Sequence, residues 1–136
     1  MTVFLDTNIL IRHFTGDPPE QAGRATSLLG SATDLHLTDV VAAETVYVLE
    51  SFYERPAAEV ATLLRSAIAF ETITVDDEDR LLRALEIYEL QAIDFTDCYL
   101  AACAEIDGDR LVASFDRDLD LVHSVTRLEP PPMDDQ

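Results

Sequence analysis

What most restricts the fold of this chain is an alternation between very short, uninterrupted apolar runs and longer stretches with helical spacing. Val3-Phe4-Leu5, Leu35-His36-Leu37, Ile73-Thr74-Val75 and Leu111-Val112-Ala113 read as strands, and the stretch around Val125 as a short fifth. Between them lie helical patterns. Thr7 to Phe14 places Ile9, Leu10 and Phe14 on one face. Asp17-Pro18-Pro19-Glu20 predicts a helix start, with Asp17 as N-cap, Pro18 at the first helical position and Glu20 closing a capping box; that helix ends near Gly30. Further helices are expected from about Thr38 to Tyr53, from Pro56 through Ile68, behind the acid cluster Asp76 to Asp79, and from Asp94 to about Ile106. Strands with no polar alternation must be covered on both faces, which predicts an α/β protein with a mainly parallel sheet of four to five strands.

At 136 residues the chain has room for one domain. Residues 1–128 are expected to form it, and 129–136, with Pro130-Pro131-Pro132, to be a flexible acidic tail, since three prolines neither coil nor pair. Twenty-seven acidic residues stand against nine basic ones, all arginine, for a net charge of -18. That balance excludes a protein that grips nucleic acid through a broad basic face, because such binding rests on many cations displacing counterions. The 48% hydrophobic content excludes a disordered acidic chain. A strongly negative surface fits a salt-rich, halophilic cytoplasm, where ions screen self-repulsion. Cys98 and Cys103, five apart in one helix, are expected to be buried free thiols of a reducing compartment; with His13, His36 and His123 they show no zinc spacing. No apolar run approaches the roughly 20 residues of a membrane helix, so no membrane partner and a cytoplasmic location are expected.

In parallel sheets ligands bind beyond the carboxyl ends of the strands. Asp6 follows the first strand and Asp116 the fourth, and a central first strand would set their loops side by side. Asp97 falls in the opening turn of the helix before the fourth strand; with Asp94 as N-cap it also fits a capping box. Glu44 sits in Val40-Val41-Ala42-Ala43-Glu44-Thr45-Val46-Tyr47-Val48-Leu49, apolar nearly all round, so it is expected to be buried and therefore neutralised, paired or metal-linked. A solvated glutamate at the helix edge is the alternative. Four acids in one crevice would raise one another's pKa unless a divalent cation neutralised them, and carboxylate oxygens suit Mg²⁺ or Mn²⁺. Such a metal activates water and clamps a scissile phosphate.

Phe4-Leu5-Asp6-Thr7-Asn8-Ile9-Leu10, Val41-Ala42-Ala43-Glu44, Asp94-Phe95-Thr96-Asp97-Cys98-Tyr99-Leu100-Ala101-Ala102 and Leu111-Val112-Ala113-Ser114-Phe115-Asp116-Arg117-Asp118 resemble, in order and spacing, the PIN domain, specifically VapC-like ribonuclease toxins of type II toxin–antitoxin systems. The resemblance implies a three-layer α/β/α fold and a Mg²⁺- or Mn²⁺-dependent endoribonuclease with Asp6, Glu44, Asp97 and Asp116 as its acidic quartet. By that analogy Asp6, Asp97 and Asp116 bind metal directly, Glu44 orients a metal-bound water or joins them, and Asp118 supplies a further acid. Thr7, Asn8 and Ser114 are polar neighbours suited either to orienting the carboxylates or to ordinary turns and caps. Arg12 and Arg117 are candidates for substrate phosphate. A departure is the bulky Phe115, where many relatives carry a small or basic residue. The family also implies an RNA substrate, a cognate antitoxin protein covering the acidic crevice, and a homodimer.

Two other readings compete. Receiver domains and aspartate-nucleophile phosphatases place acids at strand ends, but they use a lysine near the phosphoryl group and this chain has none; Asp6-Thr7-Asn8 also lacks the second aspartate of such phosphatases. A non-catalytic module of the same fold, binding RNA or protein without cutting, is the alternative that only a metal-dependent activity separates.

Overall fold

A computed structural model of the chain describes residues 1–134. Five strands and six helices follow in the order β1 (Thr2–Phe4), α1 (Thr7–Thr15), α2 (Pro19–Leu29), β2 (Asp34–Leu37), α3 (Asp39–Ser51), α4 (Ala57–Ile68), β3 (Ile73–Val75), α5 (Glu78–Gln91), α6 (Phe95–Asp107), β4 (Leu111–Ala113) and β5 (Thr126–Leu128), with a short 3-10 helix over Arg117–Leu121. The α/β class and the parallel sense of the pairing are as expected, all pairs being parallel. The single sheet is not. The strands form a three-stranded ladder in the order β1-β2-β3 and a separate ladder β4-β5. The first strand is therefore an edge and β2 is central. Strands of three or four residues offer few ladder bonds each, so helix packing decides which edges meet. β1 is tied to β2, with Leu5 N donating to His36 O, whereas β4 is tied to β5 by Ser114 N to Leu128 O and Thr126 N to Arg110 O.

The helix starts show where local chemistry redirects the sequence reading. α2 begins one residue later than expected: Pro18 is the N-cap, with extended ψ of 150°, and Pro19 takes the first helical position. A residue before proline is sterically barred from the helical region, so Pro18 cannot itself be helical, and Asp17 is left outside the cap. α5 is capped as expected, the Asp77 side chain accepting from Arg80 N at 3.0 Å. Thr38 caps α3, accepting from Val41 N at 3.2 Å. The tail from Glu129 to Asp134 has no helix or strand, and the last two residues of the expected acidic tail, Asp135 and Gln136, lie outside the described residues.

The core is leucine-rich, with Leu10, Leu29, Leu35, Leu37, Leu49 and Leu64 fully buried beneath the helices. α5 packs along α6, where Tyr88 and Phe95 meet edge to face at 5.8 Å and Arg83 grips both Glu105 oxygens at 2.7 and 2.9 Å. α6 is tied to α3 through Tyr99, whose hydroxyl donates to Asp39. The start of α3 is in turn anchored to the strand ends: Asp39 N donates to Asp76 at 3.0 Å, and His36 Nε2 donates to the other Asp76 oxygen at 2.7 Å. Those bonds hold Asp76 ionised below the usual carboxylate range, the His36 bond contributing most. This chain of contacts fixes how α3 and α6, which carry two of the candidate acids, lie against each other. Cys98 is a buried thiol, as expected, while Cys103 is only half-buried; neither is in a disulfide. Among the described residues no helix is long and apolar enough to cross a membrane.

Candidate functional site

Asp97 lies in the first turn of α6 and is buried, only 8% exposed. Asp94 stands at the N-cap position of that helix, but its side chain accepts no capping bond, so the expected capping box does not form. Asp97 is thus free of a helix-end role. One of its oxygens, Oδ2, is buried with no hydrogen-bond partner, and its carboxyl neighbours that of Asp116. Burial first, then Asp116 and the nearby charges of Asp94 and Asp118, push Asp97 up to about 6. Asp116 goes the opposite way, below the usual carboxylate range, because the Asp118 backbone N–H stabilises its ionised form and Asp97 adds a side-chain bond. The loop after β4 builds this half of the pair: Ser114 Oγ accepts from Asp116 N at 2.9 Å, and Asp116 Oδ1 accepts from Asp118 N at 2.9 Å, capping the 3-10 helix. Ser114 therefore holds a tight turn that presents Asp116.

The structure places the other candidates elsewhere. Asp6 is the N-cap residue of α1, exposed, with no side-chain capping bond. Thr7 is buried, and its Oγ1 also lacks a partner. Glu44 is exposed, which corrects the expectation of a buried carboxylate. Val40, Glu44 and Tyr47, spaced by four and three, share one face of α3, and that face is open: Val40 is 76% and Tyr47 68% exposed. Glu44 instead lines a cleft of about 280 Å³ between α3 and the start of α6, together with Glu50, Asp94 and Thr96. Arg117 and Phe115 are exposed beside the Asp116 turn. Arg12 and Asn8 line a different cleft, between α1 and α2. Neither that cleft nor the Glu50 and Asp94 neighbours of Glu44 were legible beforehand; the i, i+4 spacing of Asn8 and Arg12 was the available signal.

A hard divalent cation fits the chemistry of the Asp97 and Asp116 oxygens: an orphaned buried carboxylate oxygen and a neighbouring ionised one are what such an ion satisfies. The fit is in kind and not yet in number. Among the described residues no three acidic, histidine or cysteine side chains are gathered closely enough to hold a metal.

A buried carboxylate in the first turn of α6, beside an exposed, ionised one at the carboxyl end of β4, gives this α/β protein oxygens suited to a hard cation. The chain belongs to the PIN domain family, whose model matches residues 3–124. PIN domains are nucleases acting on nucleic acid, generally with divalent metals, so this chain carries a nuclease fold. No curated protein matches the sequence at a significant level.

Proposed function

We propose that the chain is a metal-dependent endoribonuclease, the toxin of a toxin–antitoxin pair, with Asp97 and Asp116 as the centre of its site. The observation that carries this reading is the buried Asp97 oxygen that no protein group satisfies, facing Asp116 at the mouth of β4. Asp97 and Asp116 would hold Mg²⁺ or Mn²⁺, with Asp118 behind them, and Asp6 and Glu44 would complete the set from β1 and α3. When bound, the ion supplies Lewis acidity at the scissile phosphate and a water of lowered pKa. The chain's own contributions are positional. Ser114 and the Asp118 N–H keep Asp116 ionised and aimed, and the Tyr99–Asp39 contact keeps α6 and its Asp97 against α3. Glu44 and Arg117 stand open to solvent, Glu44 to orient water and Arg117 to meet phosphate. A small antitoxin covering this mouth, a homodimer and a cytoplasmic location complete the reading.

The exposed, ungathered positions of Asp6 and Glu44 favour one second reading, a module of this fold that binds RNA or protein without cutting. RNA cleavage by the full chain with Mg²⁺ or Mn²⁺, with EDTA, and by Asp116→Asn separates the two. Cutting that stops with EDTA and in the variant supports the nuclease. Folded protein that never cuts, or cutting that survives both, overturns it.

A further inference from the structure

A nuclease with a net charge of -18 must hold a polyanion against its own field, so its few unspent cations decide where the strand runs. Most are spent. Arg55, Arg65, Arg80, Arg83 and Arg127 each bridge carboxylates at 3.0 Å or less. Arg12 bridges none: its Nε donates to Gln21 Oε1 at 3.0 Å, which fixes the guanidinium across the gap from α1 to α2 and leaves its terminal N–H groups without a carboxylate. Arg24, one helical turn beyond Gln21, has only a loose contact to Glu20 at 3.6 Å, with both side chains about three-quarters exposed. Such an exposed i, i+4 pair is worth little and yields easily to a better anion.

These two arginines line one cleft of about 440 Å³, floored by Ala25 and Leu28 and flanked by the amides of Asn8 and Gln21; no carboxylate lines it. The volume is that of an ordinary ligand cleft. Its position relates it to Asp6, the candidate acid that follows β1. Asp6 caps α1, Asn8 stands in the first turn, and Arg12 lies one turn further on the same face, about 9 Å along the axis from Asp6. His13 Nδ1 pairs with Thr26 Oγ1 at 2.8 Å, holding α1 and α2 in register so the cleft is preformed.

We infer that the α1–α2 cleft, through Arg12, Arg24, Asn8 and Gln21, binds the phosphodiester backbone of single-stranded RNA on the Asp6 side of the molecule. This rests on the nuclease reading for the identity of the strand, and it adds a phosphate site to it. Guanidinium groups supply paired N–H donors matched to phosphate oxygens, and the amides supply further donors.

The test is binding of a fluorescein-labelled single-stranded RNA oligonucleotide to the full chain in EDTA across a KCl series, for wild type, Arg12→Ala/Arg24→Ala and Arg12→Lys/Arg24→Lys. The alanine pair is expected to weaken binding about tenfold and to flatten the slope of log K against log[KCl] by about 0.7 per arginine lost, while the lysine pair keeps the slope. Arg24→Gln alone, at an exposed position, gives half the slope change and guards against a misfolded double variant, checked by circular dichroism. With Mn²⁺, the alanine pair is expected to lower kcat/KM chiefly through KM. Alanine variants that bind RNA with wild-type affinity and slope overturn the inference, as does wild-type protein that binds no RNA. Arginine-dependent binding of polyglutamate in place of RNA also overturns it, making the cleft a protein site. Arginine-dependent RNA binding without cleavage in any metal upholds the cleft and defeats the nuclease reading instead.

Discussion

Asp97 and Asp116 meet across the gap between α6 and the turn after β4, and they are held unequally: Asp97 is pushed up by burial and by its neighbour's charge, Asp116 is kept ionised by the Asp118 N–H. Of two neighbouring carboxyls held so unequally, the buried one keeps its proton to higher pH.

That inequality sets a pH dependence. In metal-free protein the folded state binds a proton at Asp97 up to about pH 6 whereas the unfolded chain releases it near 3.8, so stability falls as pH rises across that window. Asp97→Asn removes the loss. Urea melts in EDTA are expected to show the variant gaining on the order of 1 kcal/mol over wild type at pH 7 and nothing at pH 4. An equal difference at both values contradicts it.

The same substitution has the opposite consequence for a metal. Mg²⁺ or Mn²⁺ is expected to raise the melting temperature of wild-type protein, through binding to the folded state alone, and to leave Asp97→Asn and Asp116→Asn unmoved. Cleavage by either variant is expected to fall at least about a hundredfold, the scale of losing a group that orders transition-state charge. Melting curves that shift equally for all three proteins place the ion elsewhere.

Asp76 is a structural acid by contrast. Its two oxygens bind His36 and the Asp39 N–H at the head of α3, and its depressed pKa means this support is present at neutral pH and is lost only as pH drops below the usual carboxylate range. Asp76→Ala is expected to cost about 1–3 kcal/mol in urea unfolding at pH 7, the worth of charge-assisted hydrogen bonds, and much less at pH 2.5.

Self-repulsion from a net charge of -18 is a long-range term that salt removes. Calorimetry is expected to show the melting temperature rising with KCl, from low salt to 2 M. A melting temperature that falls with KCl contradicts the halophilic reading.

Much of this was legible in the sequence because it is local. The strand at Ile73-Thr74-Val75, the helix start near Thr38 and the cap within the acid cluster Asp76 to Asp79 follow from patterns a few residues long. What was not legible depends on what packs against a segment. The run around Glu44 reads as buried by hydropathy, yet Val40 and Tyr47 face solvent on the same side of α3, and hydropathy cannot tell an uncovered apolar face from a covered one. Asp94 sits where a cap belongs, but its side chain makes no cap bond, and only the backbone geometry at that turn decides this. Whether β1 meets β4 is a question of helix packing across the whole chain, invisible to any window. The pairing of Arg12 with Gln21 is of the same kind, two helices apart and unsigned in either.

The division of the strands into two ladders leaves β1 with a partner on one side only, with Val3 at 40% and Phe4 at 67% exposed, and Leu111 of β4 at 48%. A half-paired strand with apolar side chains is a template on which another chain can add. A net charge of -18 on every copy opposes such stacking through repulsion between whole molecules. Salt that screens repulsion within one molecule also screens it between neighbours, so KCl that raises the melting temperature is expected to lower solubility.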